Sequence, residues 1–211
     1  MSLLRRMILM NQGSSTPPEP VLPYDAEVEY LEASGTQYID LNVYATTSLV
    51  TEIEFTLVNG FSFSNTAFLF GTYDDGCIYS VAMPSLSNIR VPSSSGFTNL
   101  SVSLNYTSSH TISFKPGAIY FDGVIKGTQS RSITTTGVPV RLWGRNATSD
   151  SNKTITSKVR IHGVKLSNSS GLILELIPVR LGQIGYLYDR IGGNLYGNNG
   201  TGNFILGSDI V

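Results

Sequence analysis

Two glutamates in a strand-like run are the first residues whose spacing suggests chemistry. Residues 50–58 alternate apolar and polar side chains, and Glu52 and Glu54 fall on the polar side. Side chains two residues apart in a strand share one face of the sheet. Two carboxylates across a sugar can hydrolyse a glycosidic bond. A Glu-x-Glu pair on a solvated face more often keeps a sheet soluble, so the spacing favours that interpretation over catalysis.

A second acidic pair, Asp74 and Asp75, follows Tyr73 in a run that we interpret as a loop. Carboxylates on a loop can hold Ca²⁺, but a site needs six or more oxygen ligands, and Asp-Asp-Gly is also an ordinary turn. We therefore predict a turn and no resident metal or other cofactor, with calcium as the alternative. His110 and His162 both lie in strand patterns without a second ligand at zinc spacing, which makes a zinc site improbable.

The only tryptophan, Trp143, precedes a polar stretch with Arg145 and Asn146. Carbohydrate sites combine an aromatic ring with amide and charged groups, although the strand phase of Trp143 favours a position in the core. We expect the polar stretch from Arg145 to be a loop. The predicted ligand-binding residues are all assigned to loops: Tyr73, Asp74, Arg145 and Asn146.

The composition argues against several classes of function. Lys and Arg number 14, Asp and Glu number 15, and the formal net charge of −1 argues against a nucleic-acid-binding protein. The single cysteine, Cys77, excludes an intrachain disulfide, and its neighbours favour a small buried residue over a nucleophile. No run approaches the apolar length of a membrane helix, so no membrane partner is expected.

The remaining pattern consists of short strands and turns. Val159 and Ile161 share one phase and Val164 and Leu166 the other, so a β-bulge is predicted at Gly163. Residues 172–177 are apolar on both faces apart from one glutamate, which predicts a strand covered on both sides.

Turn signals separate these runs. Asp122-Gly123, between two short strand runs, predicts a hairpin with a type I′ turn. Pro178 is expected to end regular pairing. We find no amphipathic helix in residues 24–211, and strands at this spacing predict an all-β, two-sheet antiparallel sandwich whose closing strands tie the termini together.

Residues 1–23 differ from the rest of the chain. Residues 1–10 are apolar and basic, and residues 11–23 form a Ser/Pro linker. They contain neither the long apolar core of a secretory signal nor a lipidation motif. We interpret residues 1–23 as an anchoring peptide and residues 24–211 as one domain. The predicted partner-anchoring residues are Leu3, Leu4, Arg5, Arg6, Met7 and Ile8.

Two motifs carry a family resemblance. One is residues 29–40, EYLEASGTQYID; the other comprises Ile177, Pro178, Arg180, Gly185, Tyr188, Asp189, Gly193, Tyr196, Asn198, Gly200, Thr201, Gly202, Phe204 and Gly207. The pattern resembles a concanavalin A-like lectin/glucanase (LamG-like) domain, of a type common in gut Bacteroides and Firmicutes proteins and their phages. The resemblance implies a jelly roll that more often binds than catalyses. Glucanases of this family share a Glu-x-Asp-x-x-Glu strand, whose central Asp and third acid are missing around Glu52.

The sequence therefore predicts a non-catalytic phage virion surface protein, such as a capsid decoration or head-fibre protein. Residues 1–23 would attach it to a capsid or another virion protein, and the outward domain would bind host or mucus glycans. A homo-oligomer is expected. The alternative is a bacterial surface or secreted carbohydrate-binding module, located extracellularly or on the cell surface, which would need an export signal. A glycoside hydrolase is the third, disfavoured hypothesis.

Overall fold

The computed structural model describes residues 22–74, 77–129, 133, 135–149, 154–155 and 158–210. The predicted anchoring residues Leu3, Leu4, Arg5, Arg6, Met7 and Ile8, as well as Asp75, lie outside the described residues.

The described residues form short β-strands and no helix. The strands are β1 (Ala26–Glu27), β2 (Leu31–Glu32), β3 (Ile39–Tyr44), β4 (Val50–Leu57), β5 (Phe68–Asp74), β6 (Cys77–Ser85), β7 (Asn88–Ser93), β8 (Gly96–Ser101), β9 (His110–Lys115), β10 (Ala118–Phe121), β11 (Val124–Gly127), β12 (Pro139–Leu142), β13 (Gly144–Ala147), β14 (Thr154–Ile155), β15 (Val159–Asn168), β16 (Gly171–Leu181), β17 (Ile184–Asp189), β18 (Leu195–Tyr196) and β19 (Ile205–Leu206).

These strands build two sheets that pack face to face. The larger sheet has the order β11-β10-β9-β4-β15-β16-β17-β18, with β1 against β16, β2 against β15 and β19 against β2. The smaller sheet has the order β14-β13-β5-β6-β7-β8, and β12 pairs with both β5 and β3. Pairing among the described strands is antiparallel except between β13 and β5. The predicted all-β, two-sheet antiparallel sandwich is therefore confirmed, with a jelly-roll-like architecture.

Aromatic and branched side chains from both sheets fill the space between them. Ile53 and Phe55 on β4 are fully buried, as the alternation predicts. Tyr79 of the smaller sheet meets Phe114 of the larger sheet with ring centroids 4.6 Å apart. Its hydroxyl donates to Thr51 Oγ1 at 2.7 Å, and burial raises the pKa of Tyr79, which keeps the phenol protonated. Each such burial stabilises the fold by about 1.5–3 kcal/mol.

Two local predictions are confirmed. The register between β15 and β4 shifts between Ile161 and Gly163, which is the predicted bulge. Asp122 and Gly123 have φ of 50° and 75°, as a type I′ turn requires.

Two others are wrong. Strand β16 continues through Pro178, which pairs with Leu187. The Pro178 carbonyl accepts the Val28 amide at 3.0 Å, and the ring nitrogen faces the same side. The missing amide therefore lies beyond the end of the short pairing with β1, and the pairing with β17 continues. The strand is also not covered on both sides: Leu174 and Leu176 are buried, whereas Glu175 and Ile177 on the opposite face are only partly buried and Leu172 is 45% exposed.

The two ends of the domain are joined by a set of bonds that we call the terminal clasp, between residues 34–40 and 198–203. Gln37 is 2% exposed, accepts the Ser34 amide at 2.9 Å and donates to the Asn203 carbonyl at 3.0 Å. Asn198 accepts the Tyr38 amide at 3.1 Å and donates to the Gly202 carbonyl at 2.7 Å. The predicted joining of the two ends of the domain is confirmed, and residues of the two sequence motifs make the hydrogen bonds.

Gly200 is required where the two segments of the clasp approach most closely. A β-carbon there would stand 2.0 Å from the Thr36 carbonyl oxygen, which is a backbone atom that cannot swing away. We expect Gly200→Ala to destabilise the domain by about 3 kcal/mol through overpacking. Thermal unfolding should show a Tm lowered by about 6–12 °C for a chain of this size.

Gly163→Ala is the matched control, because the nearest atom to its β-carbon would be the Leu176 carbonyl oxygen at 3.7 Å. It should leave Tm nearly unchanged. Equal Tm losses in the two variants would contradict the close approach at Gly200.

A second contact, an ion pair between Arg180 and Asp209, holds residues 208–210 against β16. Arg180 donates to both carboxylate oxygens of Asp209, each at 2.7 Å, and this hydrogen bonding, together with the positive charge, lowers the pKa of Asp209 below its ordinary 3.8. The contact therefore stabilises the fold above the unfolded-state pKa and loses its effect as the pH falls through the folded-state value.

We expect Asp209→Asn to unfold more easily than the native chain at neutral pH and low salt. The difference should shrink with added salt, because the pair is exposed. It should vanish at a pH below the lowered pKa, which unfolding in denaturant at several pH values would measure. A difference that persists unchanged in strong acid would show that the ion pair is not its cause.

A candidate ligand-binding cleft

A polar cleft opens where the rim of the smaller sheet meets β18 of the larger sheet. Its volume is about 450 Å³. Strand β3, the start of β12, strand β13 and the turn after β18 supply its walls. The lining residues are Asp40, Asn42, Pro139, Asn146, Leu195, Tyr196, Gly197 and Asn199.

A fixed carboxylate marks one wall of the cleft. Arg141, from the adjacent β12, donates from Nε to Asp40 Oδ1 at 2.8 Å and from Nη2 to Oδ2 at 3.0 Å. The guanidinium also lies 3.7 Å from the ring centroid of Tyr38. A bidentate pair of this kind fixes orientation as well as charge. Each carboxylate oxygen keeps lone pairs for further donors, while the arginine offsets the negative charge.

Asparagine side chains supply both donors and acceptors around this carboxylate. Asn199 Oδ1 accepts the Asp40 amide at 2.9 Å, so the Asn199 NH₂ group is the part left for a ligand. Asn146 Oδ1 accepts the Ala147 amide at 2.9 Å, and its Nδ2 lies 3.5 Å from Asp40 Oδ1. Asn42 is exposed and has a φ of 55°, a left-handed conformation that asparagine tolerates well.

The aromatic side of the cleft is Tyr196. It is half-buried and packs against the core. Burial, and to a lesser extent the negative charge of Asp189, raises the pKa of Tyr196. The phenol therefore stays protonated at neutral pH and can donate a hydrogen bond.

The structure places the four predicted site residues on strands, so the loop assignment is wrong. Tyr73 and Asp74 end β5, and Arg145 and Asn146 lie in β13, where they are 8% and 6% exposed. The hydrophilic composition of the segment suggested a loop, but β13 gains pairing from both β5 and β14. Of the four, only Asn146 lines the cleft.

The other three have structural contacts. The Arg145 guanidinium lies 4.4 Å from the Phe68 ring and 5.2 Å from the Tyr73 ring. Burial lowers the pKa of Arg145, and the charge of Arg90 adds to this effect. Asp74 Oδ2 accepts the Gly137 amide and so holds the segment before β12.

The core position expected for Trp143 is confirmed. It is fully buried, donates from Nε1 to the Val159 carbonyl at 2.8 Å and stacks on Phe204 at 4.6 Å. Cys77 is also buried, as predicted.

Sequence reasoning missed Asp40, Asn42, Tyr196 and Asn199 as site residues. A signal was present, because Asp40 ends the first motif, Tyr196 belongs to the second, and Asn199 stands inside it. The motifs were interpreted only as marks of the fold. The structure shows that the residues joining the termini also border the cleft.

Glu52 and Glu54 lie elsewhere, on the outer face of the larger sheet. Ser113 Oγ donates to Glu52 at 2.7 Å, and Ser109 Oγ donates to Glu54 at 2.7 Å. Both line a separate groove of about 250 Å³. The polar strand face is as the alternation predicts.

Both histidines are engaged in local contacts. His110 Nδ1 lies 2.9 Å from Asp122 Oδ2. His162 Nδ1 donates to the Glu29 carbonyl at 2.9 Å, which leaves Nε2 to accept from Thr56 Oγ1 at 2.9 Å. Within the described ranges, no group of three or more His, Cys, Asp or Glu side chains is arranged to hold a metal ion.

The chain matches no protein-family model and no curated protein sequence. The concanavalin-like resemblance therefore stays a prediction. No helix in the described part of the chain is long and apolar enough to cross a membrane.

The ion pair at the cleft can be tested by a double-mutant cycle. Arg141→Met leaves the Asp40 carboxylate without its cation, and we expect a loss of about 2 kcal/mol, moderated because Asp40 retains solvent contact. Combining Arg141→Met with Asp40→Asn should cost less than the sum of the two single changes. Denaturant unfolding gives all four values, and strict additivity would contradict a coupled pair.

Proposed function

We propose that this domain is a non-catalytic, lectin-like module that binds neutral glycans in the cleft, and that it is displayed on a phage virion. The observation that carries the proposal is the combination of a fixed carboxylate, three asparagines and a protonated tyrosine around one polar cavity. Sugar hydroxyl groups donate and accept at once, and this set of groups offers both functions within one cavity. Preorganised polar groups lose little freedom when a ligand binds.

The charge in the cleft favours neutral over acidic sugars. Asp40 is the only ionisable carboxylate among the lining residues, and Arg141 is turned onto it rather than into the cavity. An anionic sugar would meet a carboxylate, and the described lining residues include no cation to pair with it. A neutral hexose or N-acetylhexosamine would meet amide and hydroxyl partners instead.

Binding fits the cleft better than hydrolysis does. A glycosidase needs two carboxyl groups placed across the scissile bond. The cleft lining contributes one, and that one is held in an ion pair. Glu52 and Glu54 lie in a different groove.

The proposed location on a virion is supported by residues 1–23 and by the family resemblance. Its first ten residues are apolar and basic, a Ser/Pro linker follows, and the resembling domains are frequent in phages. Residues 1–23 would attach the protein to a capsid or another virion protein, and residues 24–211 would face outward. A bacterial surface or secreted carbohydrate-binding module is the second candidate, because the same cleft would serve it equally.

Asn42→Gly tests the glycan site. Glycine keeps the left-handed backbone at this position while it removes the amide. For a neutral glycan selected on an array, we expect the loss of one ligand hydrogen bond to raise Kd about tenfold in calorimetry.

Asn99→Ala is the matched control, since Asn99 is an exposed asparagine on β8, outside the cleft lining. It should leave Kd unchanged. Equal weakening in both variants, or no glycan bound by the native chain, would contradict the cleft assignment.

Attachment to a particle is tested separately. The full chain should remain with virions purified from a culture that produces it, whereas the combined changes Leu3→Asp and Leu4→Asp should release it, because charged residues remove apolar docking contacts. Sedimentation followed by quantitative immunoblotting measures the fraction bound. Native protein that never co-purifies with particles would favour the secreted or cell-surface module.

A further inference from the structure

The sequence contains two Asn-Gly pairs, Asn59-Gly60 and Asn199-Gly200, which the fold places in opposite situations. An asparagine before glycine can react with its own chain, because glycine has no side chain to obstruct the attack of its backbone nitrogen on the asparagine side chain. Whether the reaction proceeds in a folded protein depends on the freedom of both groups.

Asn59 and Gly60 occupy the centre of an exposed turn after β4. The Phe61 amide donates to the Val58 carbonyl at 2.9 Å, which closes the turn, and Gly60 has a φ of 83°. Both central residues are exposed. Among the described residues, neither the Asn59 side chain nor the Gly60 amide has a hydrogen-bond partner, as is usual for the central amide of a β-turn.

A cation stands beside this turn. Lys158 Nζ lies 3.2 Å from the position that a β-carbon on Gly60 would occupy. Lys158 is held there by its backbone, which donates to the Ala33 carbonyl at 2.7 Å and accepts the Val58 amide at 3.0 Å. A nearby positive charge stabilises an amide nitrogen that has lost its proton, which is the attacking species.

The second pair is held by the terminal clasp. Asn199 Oδ1 accepts the Asp40 amide at 2.9 Å, and the Asn199 amide donates to the Tyr38 carbonyl at 2.8 Å. The Gly200 amide, the nitrogen that would attack, donates to Asn198 Oδ1 at 2.8 Å. Reaction at Asn199 therefore requires the clasp to open first.

We propose that Asn59 is a self-modification site, at which the native protein deamidates with water as the only co-reactant, while Asn199 is protected by the fold. The Gly60 nitrogen loses its proton and bonds to Asn59 Cγ. The bond from Cγ to the side-chain nitrogen breaks, and ammonia leaves. The resulting five-membered imide adds water at either carbonyl, which opens the ring to an aspartate or an isoaspartate without oxidation or reduction.

The product changes both charge and backbone at the turn. Either form adds one negative charge to a chain of formal net charge −1, and places it near Lys158. The isoaspartate form also inserts one carbon into the main chain inside the turn that the Val58–Phe61 bond closes. Aged protein should therefore separate from fresh protein by ion exchange, independently of glycan binding.

The test is incubation of the full native chain in mildly alkaline buffer, with peptide mapping by mass spectrometry at intervals. We expect ammonia loss followed by a mass gain of about one dalton at the peptide containing Asn59. Asn199 should react at least about tenfold more slowly, since opening the clasp by 1.4 kcal/mol already gives that factor. In denaturant the two rates should become similar, because both pairs have the same local sequence chemistry.

Two variants keep the test specific. Asn59→Gln should abolish the acidic product seen by ion exchange, and Lys158→Gln should slow the reaction at Asn59 severalfold without changing Asn199. Native rates that are equal at the two sites, faster at Asn199, or undetectable at Asn59 would overturn the proposal. An unchanged rate in Lys158→Gln would overturn the role of the cation.

Discussion

The structure depends on one close contact, the terminal clasp, in which the turn at residues 198–203 lies directly against residues 34–40. Gly200 allows this approach, because any side chain would meet the Thr36 carbonyl. The buried amide of Gln37 and the side chain of Asn198 then satisfy backbone groups on both sides. The Gln37 side chain is itself buried, so its amide would be costly to leave without these partners, and opening the contact would destabilise the two segments that it joins.

The same contact positions the cleft. Asp40 ends the first segment of the clasp on β3, and Asn199 belongs to the clasp turn, so the bond between them places a carboxylate and an amide side by side at the cleft. Arg141 reaches Asp40 from β12, which lies beside β3 in the smaller sheet. A fold that joins its two ends in this way forms a polar cleft from the residues that hold it closed. Because the same residues join the two ends and border the cleft, a motif that indicates the fold can also contain residues of the candidate site.

Local sequence patterns predicted the architecture well. Features that depend on contacts between distant segments were not predicted. Alternation in β4, the bulge at Gly163 and the Asp122-Gly123 turn depend on neighbouring residues and were predicted correctly. Pro178 was misjudged because its missing amide matters only if a neighbouring strand needs a donor, which local sequence does not show. Arg145 and Asn146 look like loop residues by composition, but pairing on both edges of β13 buries them. Of the cleft, only Asn146 was foreseen.

We propose that the clasp builds a cleft for neutral sugars. The most direct measurement is NMR chemical-shift mapping of the full chain titrated with a neutral glycan that binds it. We expect perturbed amides clustered at Asp40, Asn42, Asn146, Tyr196 and Asn199, with little change around Glu52 and Glu54. Perturbations centred on the groove at Glu52 and Glu54, or on neither region, would contradict it.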